Sequence, residues 1–164
     1  MDSRVSRKFL LRHGVPQGGV ISPTLFLIFI DDLLAEMPNG IKTALYADDL
    51  VMWCTEEYAT TATYRMQQAV NALASWSGKW NVSINKEKSS TTLFTLTHQT
   101  AGSIVLGDTI LKQDNQPTYL GVTFDPKQTW KPHMLNAETK AKRKLALLRK
   151  LAESHRGANE STLR

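Results

Sequence analysis

The sequence predicts an α+β domain built around an antiparallel sheet, and three patterns predict it. Apolar residues recur at helical spacing near 23–36, 58–80 and 138–153. Residues 42–53 form two short apolar runs hinged at Asp48-Asp49. Between 91 and 124 the pattern changes to short alternating segments of strand type.

Taken in order, Lys8–Arg12 reads as a short strand and Gly14–Gly19 as a Gly/Pro-rich turn. Ser22 then reads as an N-cap, with Pro23 at the first helical position, where a missing N–H does no harm. The helix over 23–36 is apolar nearly all round, which predicts burial. Pro38-Asn39-Gly40 ends it. Residues 42–53 read as a tight β-hairpin with its two acids at the tip. In the helix over 58–80, Tyr58, Ala62, Met66, Ala69, Val70, Leu73, Trp76 and Trp80 share one third of the circumference. That stripe reads as core packing rather than a platform for stacked bases. Four strands follow, Thr91–Thr97, Ser103–Leu106, Thr109–Lys112 and Thr118–Phe124, with Gly107-Asp108 turning the middle pair. A final helix over 138–153 sets Ala141, Leu145, Leu148 and Ala152 on one side, and Lys142, Arg143, Arg149 and Lys150 on the other.

Composition narrows the function classes. An apolar fraction of 41% over 164 residues, with four Trp, five Phe and four Tyr, excludes a disordered or fibrous chain. The longest unbroken apolar run, Leu25–Ile30, is too short to span a bilayer, so no membrane partner is expected. Arg4, Arg7 and Lys8 precede apolar residues, but Pro16, Gly18, Gly19 and Pro23 interrupt any secretory h-region. Cys54 is the single cysteine, which excludes a disulfide framework and a Cys-rich zinc site and makes a reducing, intracellular setting the expectation. The net charge of +5 is uneven: residues 127–164 carry ten Lys/Arg against three Asp/Glu, and residues 1–126 ten against twelve. Such a C-terminal segment suits either a polyanion or plain solvation.

Asp48-Asp49 is the sharpest chemical feature. Consecutive side chains of a regular strand point to opposite faces, so two acids within apolar flanks would bury a charge unless a turn exposed both. Exposed carboxylate oxygens suit a hard, partly hydrated divalent cation such as Mg²⁺. Acidic pairs are also ordinary turn formers, and spacing alone leaves both readings open. Asp31-Asp32 offers a second pair, well inside a predicted helix, where a structural reading is preferred. His13, His98, His133 and His155 share no metal-ligand spacing and read as loop or surface residues.

Four blocks in order give these residues a context. Gly14-Val15-Pro16-Gln17-Gly18-Gly19-Val20-Ile21-Ser22-Pro23 is followed about thirty residues later by Tyr46-Ala47-Asp48-Asp49. Trp76-Ser77, Trp80-Asn81, Ile84-Asn85 and Lys88 come next, then Tyr119-Leu120-Gly121-Val122-Thr123-Phe124-Asp125 and Thr129-Trp130-Lys131. Over roughly residues 9–152 the chain resembles the reverse transcriptase family, and within it the polymerases of non-LTR, jockey-like retroelements.

The resemblance implies a fold and a set of roles. The fold would be part of a polymerase palm over 1–126, with a ferredoxin-like antiparallel sheet and two helices on one face. Residues 127–164 would begin a basic thumb. Asp48 would be a catalytic, metal-binding carboxylate and Asp49 its supporting neighbour, with Mg²⁺, or Mn²⁺ in its place, as cofactor. Tyr46 would lie by the primer end, and Pro16, Gln17 and Gly18 would shape the nucleotide pocket. Lys88 would help to protonate the pyrophosphate leaving group, or else belong to a solvated Lys86-Glu87-Lys88 cluster. Tyr119, Leu120 and Gly121 would grip the primer, although Leu120 is equally a packing residue. Lys142, Arg143, Arg149 and Lys150 would lie along the nucleic-acid backbone.

Expected partners are an RNA template, a DNA primer and deoxynucleoside triphosphates, in a nuclear or ribonucleoprotein setting. The family has no catalytic acid at the position of Asp31-Asp32. It does draw a further carboxylate and a basic fingers region from upstream of the Gln-Gly block, and neither is found here. The isolated chain is therefore expected to be inactive or nearly so. A second reading, of another class, is a non-catalytic nucleic-acid-binding remnant that uses the basic C-terminal segment alone.

Overall fold

The computed structural model describes residues 18–153. The expected strand over Lys8–Arg12, together with Pro16 and Gln17, lies outside them. The described chain runs α1 (Ser22–Ala35), β1 (Lys42–Tyr46), β2 (Asp49–Trp53), α2 (Ala59–Trp80), β3 (Ser90–Thr91), β4 (Val105–Leu106), β5 (Thr109–Ile110), β6 (Lys112–Gln113), β7 (Thr118–Tyr119), β8 (Val122–Thr123) and α3 (Lys131–Glu153). Mixed helix and strand is what the sequence predicts. The pairing differs, because the strands join two by two as β1–β2, β3–β6, β4–β5 and β7–β8, and β3–β6 is parallel. None of the described helices is long and apolar enough to cross a membrane.

The chain divides into two compact units, one of residues up to 86 with 102–110, the other of 87–101 with residues from 111 onward. In the first, α2 buries Ala59, Ala69, Val70 and Trp76, and Leu33 of α1 and Ile104 and Leu106 of the β4 segment are buried too, whereas Tyr58 and Trp80 at the two ends of the expected packing stripe stay exposed. Phe29 of α1 meets Trp76 at 5.8 Å and Trp80 at 5.4 Å between ring centroids, tilted and edge-on. Each such pair adds about 0.5–1.5 kcal/mol beyond the area it buries. Asn81 ends α2 in the left-handed conformation (φ 54°), one of the few side chains that tolerate it, and Val82 donates its N–H to the Ser77 carbonyl at 2.9 Å. The Gln67 amide bonds both backbone groups of Val105, donating to its carbonyl and accepting from its N–H, each at 2.8 Å. Both groups of a buried-side strand residue are thereby satisfied.

Helix α1 departs from its expected burial. Only Ser22 and Leu33 are buried, while Leu25, Leu27, Ile28 and Leu34 stay exposed. Apolar residues all round a helix declare that it can be covered, and the described residues cover one side. Ser22 is also not the cap: the chain turns from Gly19, whose carbonyl accepts the Ser22 N–H at 3.2 Å, so Ile21 is already helical and takes the cap position.

In the second unit, two expected strands are shortened for identifiable reasons. Thr91–Thr97 pairs only at Ser90–Thr91: past it the Thr92 hydroxyl donates to the Asp114 carbonyl at 2.6 Å and the Thr95 N–H to the Pro126 carbonyl at 3.1 Å, so the backbone leaves the ladder. Thr118–Phe124 is broken by Leu120 (φ 48°) and Gly121 (φ 81°), which reverse the chain into the β7–β8 hairpin. Helix α3 starts at Lys131 rather than 138. Phe124 forms the apolar centre here, 6.3 Å from Phe94 and 5.7 Å from Trp130.

Candidate active site

The hairpin of β1 and β2 carries the acids. Its ladder pairs Lys42 with Trp53, Thr43 with Met52, Ala44 with Val51, Leu45 with Leu50 and Tyr46 with Asp49, leaving Ala47-Asp48 as a two-residue turn. Ala47 takes a positive φ of 52°, which costs an L-residue about 1 kcal/mol and makes the reversal tight. Five cross-strand pairs and a half-buried middle hold the tip in place, while Tyr46, Asp48 and Asp49 are all exposed. Both acids are displayed as the sequence predicts, but the turn is Ala47-Asp48, one residue before the expected hinge, and Asp49 is the first residue of β2, paired with Tyr46.

Among the described residues no group of three or more His, Cys, Asp and Glu side chains stands ready to hold a metal ion. Two adjacent carboxylates do offer the hard oxygens that a largely hydrated Mg²⁺ takes, so the donor chemistry fits that ion. Asp31 and Asp32 sit exposed within α1. The cleft of about 290 Å³ in this unit, lined by Ala74, Ser77, Val82, Ile84, Lys86 and Gly107 among others, includes neither hairpin acid. At its rim Lys86 pairs with Asp108, and that hydrogen bond holds the Asp108 carboxyl below its usual range.

The remaining residues singled out by sequence are dispersed through the chain. Gly18 has φ 83° and open space where a Cβ would stand. Lys88 is exposed on the loop before β3. Tyr119 is half-buried at the end of β7, and Leu120 and Gly121 form the exposed β7–β8 turn. Lys142, Arg143, Arg149 and Lys150 are exposed on α3, where Lys142 pairs with Glu138 one turn back. At 100° per residue these four span an arc of about 120°.

Sequence reasoning missed a polar cluster at the root of α3. Buried Asp125 accepts hydrogen bonds from the Thr129 N–H and hydroxyl and from the Trp130 N–H, all at 3.0 Å. The Thr129 amide leads in holding its carboxyl below the usual carboxylate range. Thr123, also buried, gives its N–H to His133 Nδ1 at 3.3 Å. Its hydroxyl meets Thr118 Oγ1 at 3.1 Å and accepts from Asn136 Nδ2 at 3.4 Å. His133 is therefore a half-buried helical acceptor, not the loop or surface residue expected. The available signal is Asp125 ahead of Pro126, a short acidic side chain placed to bond the backbone N–H groups of the turn that leads into α3.

Residues 1–124 match the family described as reverse transcriptase (RNA-dependent DNA polymerase). The RNA-directed DNA polymerase from mobile element jockey of Drosophila funebris is 32% identical over 145 residues, 82% of this chain and 15% of the relative. Its Drosophila melanogaster counterpart is 30% identical over 139 residues, 81% of this chain and 15% of the relative. The probable RNA-directed DNA polymerase from transposon BS of Drosophila melanogaster is 33% identical over 134 residues, again 15% of its own length. The chain thus spans about 15% of the length of these curated relatives. No solved structure matches it. With its Tyr-Ala-Asp-Asp hairpin inside the matched span, the chain belongs to the reverse transcriptase family, in the jockey-like, non-LTR branch.

Proposed function

We propose that this chain forms part of the catalytic centre of an RNA-directed DNA polymerase, which joins deoxynucleotides to a DNA primer on an RNA template. One observation carries the reading: two exposed adjacent carboxylates, Asp48 and Asp49, on a rigid ladder within the family match. The fold around them would be a palm with a ferredoxin-like sheet, and residues from 127 onward would begin the thumb.

Asp48, with Asp49 beside it, would hold Mg²⁺ or Mn²⁺. Such an ion supplies charge neutralisation at the attacking and leaving oxygens of an in-line displacement. Tyr46, next to the acids, positions the primer end. Pro16, Gln17 and Gly18 shape the nucleotide pocket, where the bare Gly18 backbone permits close approach. Lys88 holds the proton that the pyrophosphate takes as it leaves. Tyr119, Leu120 and Gly121 bear on the primer strand, and Lys142, Arg143, Arg149 and Lys150 follow the duplex phosphates. Among the described residues the hairpin offers two carboxylates, fewer than two ions need, so the chain alone should extend primers slowly or not at all.

The test uses the 164-residue chain on a primed RNA template, with Asp48→Asn beside it. Both proteins should bind primer–template alike, and any extension should be confined to the unmutated chain. Added Mn²⁺ should broaden the amide resonances of Asp48 and Asp49 and lose that focus in Asp48→Asn. Neutralising Lys142, Arg143, Arg149 and Lys150 together should weaken binding and flatten its salt dependence. Extension that survives Asp48→Asn would overturn the assignment.

A further inference from the structure

The β7–β8 hairpin has only two cross-strand pairs, Thr118–Thr123 and Tyr119–Val122, and the Phe124 N–H adds a bond to the Pro117 carbonyl at 2.9 Å. So short a ribbon is marginal unless something else fixes it. What fixes it is helix α3. Three polar contacts converge on buried Thr123: its N–H to His133 Nδ1, its hydroxyl to Asn136 and the same hydroxyl to Thr118 across the ladder. His133 and Asn136 lie three residues apart and so share one helix face, which grips the strand end opposite the Leu120-Gly121 turn.

A backbone N–H only donates, so Nδ1 must be an unprotonated acceptor and the ring proton must sit on Nε2. We propose that His133, as the neutral Nε2–H tautomer, is a positioning residue that locks the Tyr119-Leu120-Gly121 turn to the root of basic helix α3. The turn and the cationic helix then meet a primer–template duplex as one rigid piece. This deepens the polymerase reading above and rests on it for the identity of the ligand.

The experiment compares the full chain with His133→Leu, which removes the acceptor, and His133→Asn, whose Oδ1 restores one close to the lost nitrogen. Nitrogen-15 spectra should show Nδ1 of His133 as the acceptor and Nε2 as the nitrogen that carries the ring proton. Hydrogen exchange at the Thr123 amide should speed up about tenfold in His133→Leu and recover in His133→Asn, the net scale of one hydrogen bond. Affinity for an RNA–DNA primer–template should fall about five- to tenfold in His133→Leu, with recovery in His133→Asn. Unchanged amide resonances of Leu45 and Leu50 in the β1–β2 hairpin report that each variant is folded.

A protonated Nδ1, or Thr123 exchange indifferent to His133→Leu, overturns the lock itself. Loss of protection with unchanged primer–template affinity overturns the positioning role and leaves the polymerase reading intact. Failure of the unmutated chain to bind primer–template at all overturns that reading, and the positioning role with it.

Discussion

The two tight hairpins of this protein solve one problem in opposite ways. Each reverses through a two-residue tip that follows a tyrosine, Ala47-Asp48 after Tyr46 and Leu120-Gly121 after Tyr119, and each places a non-glycine residue at positive φ. The β1–β2 hairpin is held by its backbone, through five cross-strand pairs, and its tip side chains remain available. The β7–β8 hairpin has two pairs and is held by side chains, Thr118, Thr123, His133 and Asn136. A long ladder frees side chains for chemistry, whereas a short one commits them to structure. The exposed carboxylates of Asp48 and Asp49 stand on the first kind.

The comparison is broken most sharply at Asp48. Asp48→Asn should lower primer extension, in a protein that shows it, by about 10²–10³-fold or more, the scale of losing one preorganised charge-stabilising group. It should move thermal stability by less than about 0.5 kcal/mol, since the side chain is exposed. A melting curve and a primer-extension time course together check this. A stability loss equal to that of a core substitution would mean the acid is structural.

Thr123→Val should be the reverse. It removes a buried hydroxyl that serves two partners, and denaturant unfolding should register a loss of about 1–3 kcal/mol. The β1–β2 amide resonances should stay where they are. Asp125 supplies a pH signature for the same unit. Its carboxyl titrates lower folded than unfolded, so its stabilisation is complete above the ordinary carboxylate range and is lost as pH falls through the lowered value. The Thr129 and Trp130 amide resonances should follow that titration, and Asp125→Asn should abolish it.

Smaller effects sharpen the contrast. Gly121→Ala should destabilise by about 1 kcal/mol, because φ 81° strains any side chain even where space is open. Leu120→Gly and Ala47→Gly should each fall within about 0.5 kcal/mol of neutral, as relief of a positive φ is offset by added unfolded-chain entropy. Thermal melts resolve all three. Cys54 should react slowly with a disulfide reagent at neutral pH, since burial, and then Glu56, push its thiol pKa up.

How much was legible follows from the same physics. Strand alternation and helical spacing are local, so the hairpin at 42–53, the buried middle of the α2 stripe and the display of Asp48 and Asp49 are legible in sequence, whereas the exposure of Tyr58 and Trp80 at the ends of that stripe is not. Leu120 hid a turn, because leucine carries no turn signal and only its glycine neighbour does. Threonine-rich composition favours a strand over 91–97, yet the ladder stops at Thr91, and the next hydroxyl, on Thr92, bonds the Asp114 carbonyl. His133 lies outside the helix predicted over 138–153, and only the longer observed helix gives it a face and a partner. Burial of α1 could not be read at all from its own residues, since coverage depends on neighbours rather than on hydropathy.

The Gln67 side chain has a consequence beyond satisfying Val105. A strand edge with free N–H and C=O groups is a template for another chain, and a two-stranded ribbon has such an edge on each side. By occupying both groups of Val105, the amide acts as a one-residue false strand and closes β4 to further pairing. A glutamine on a helix thereby sets where this small sheet stops, and Gln67→Ala should leave the fold near intact while making it more prone to self-association through that edge.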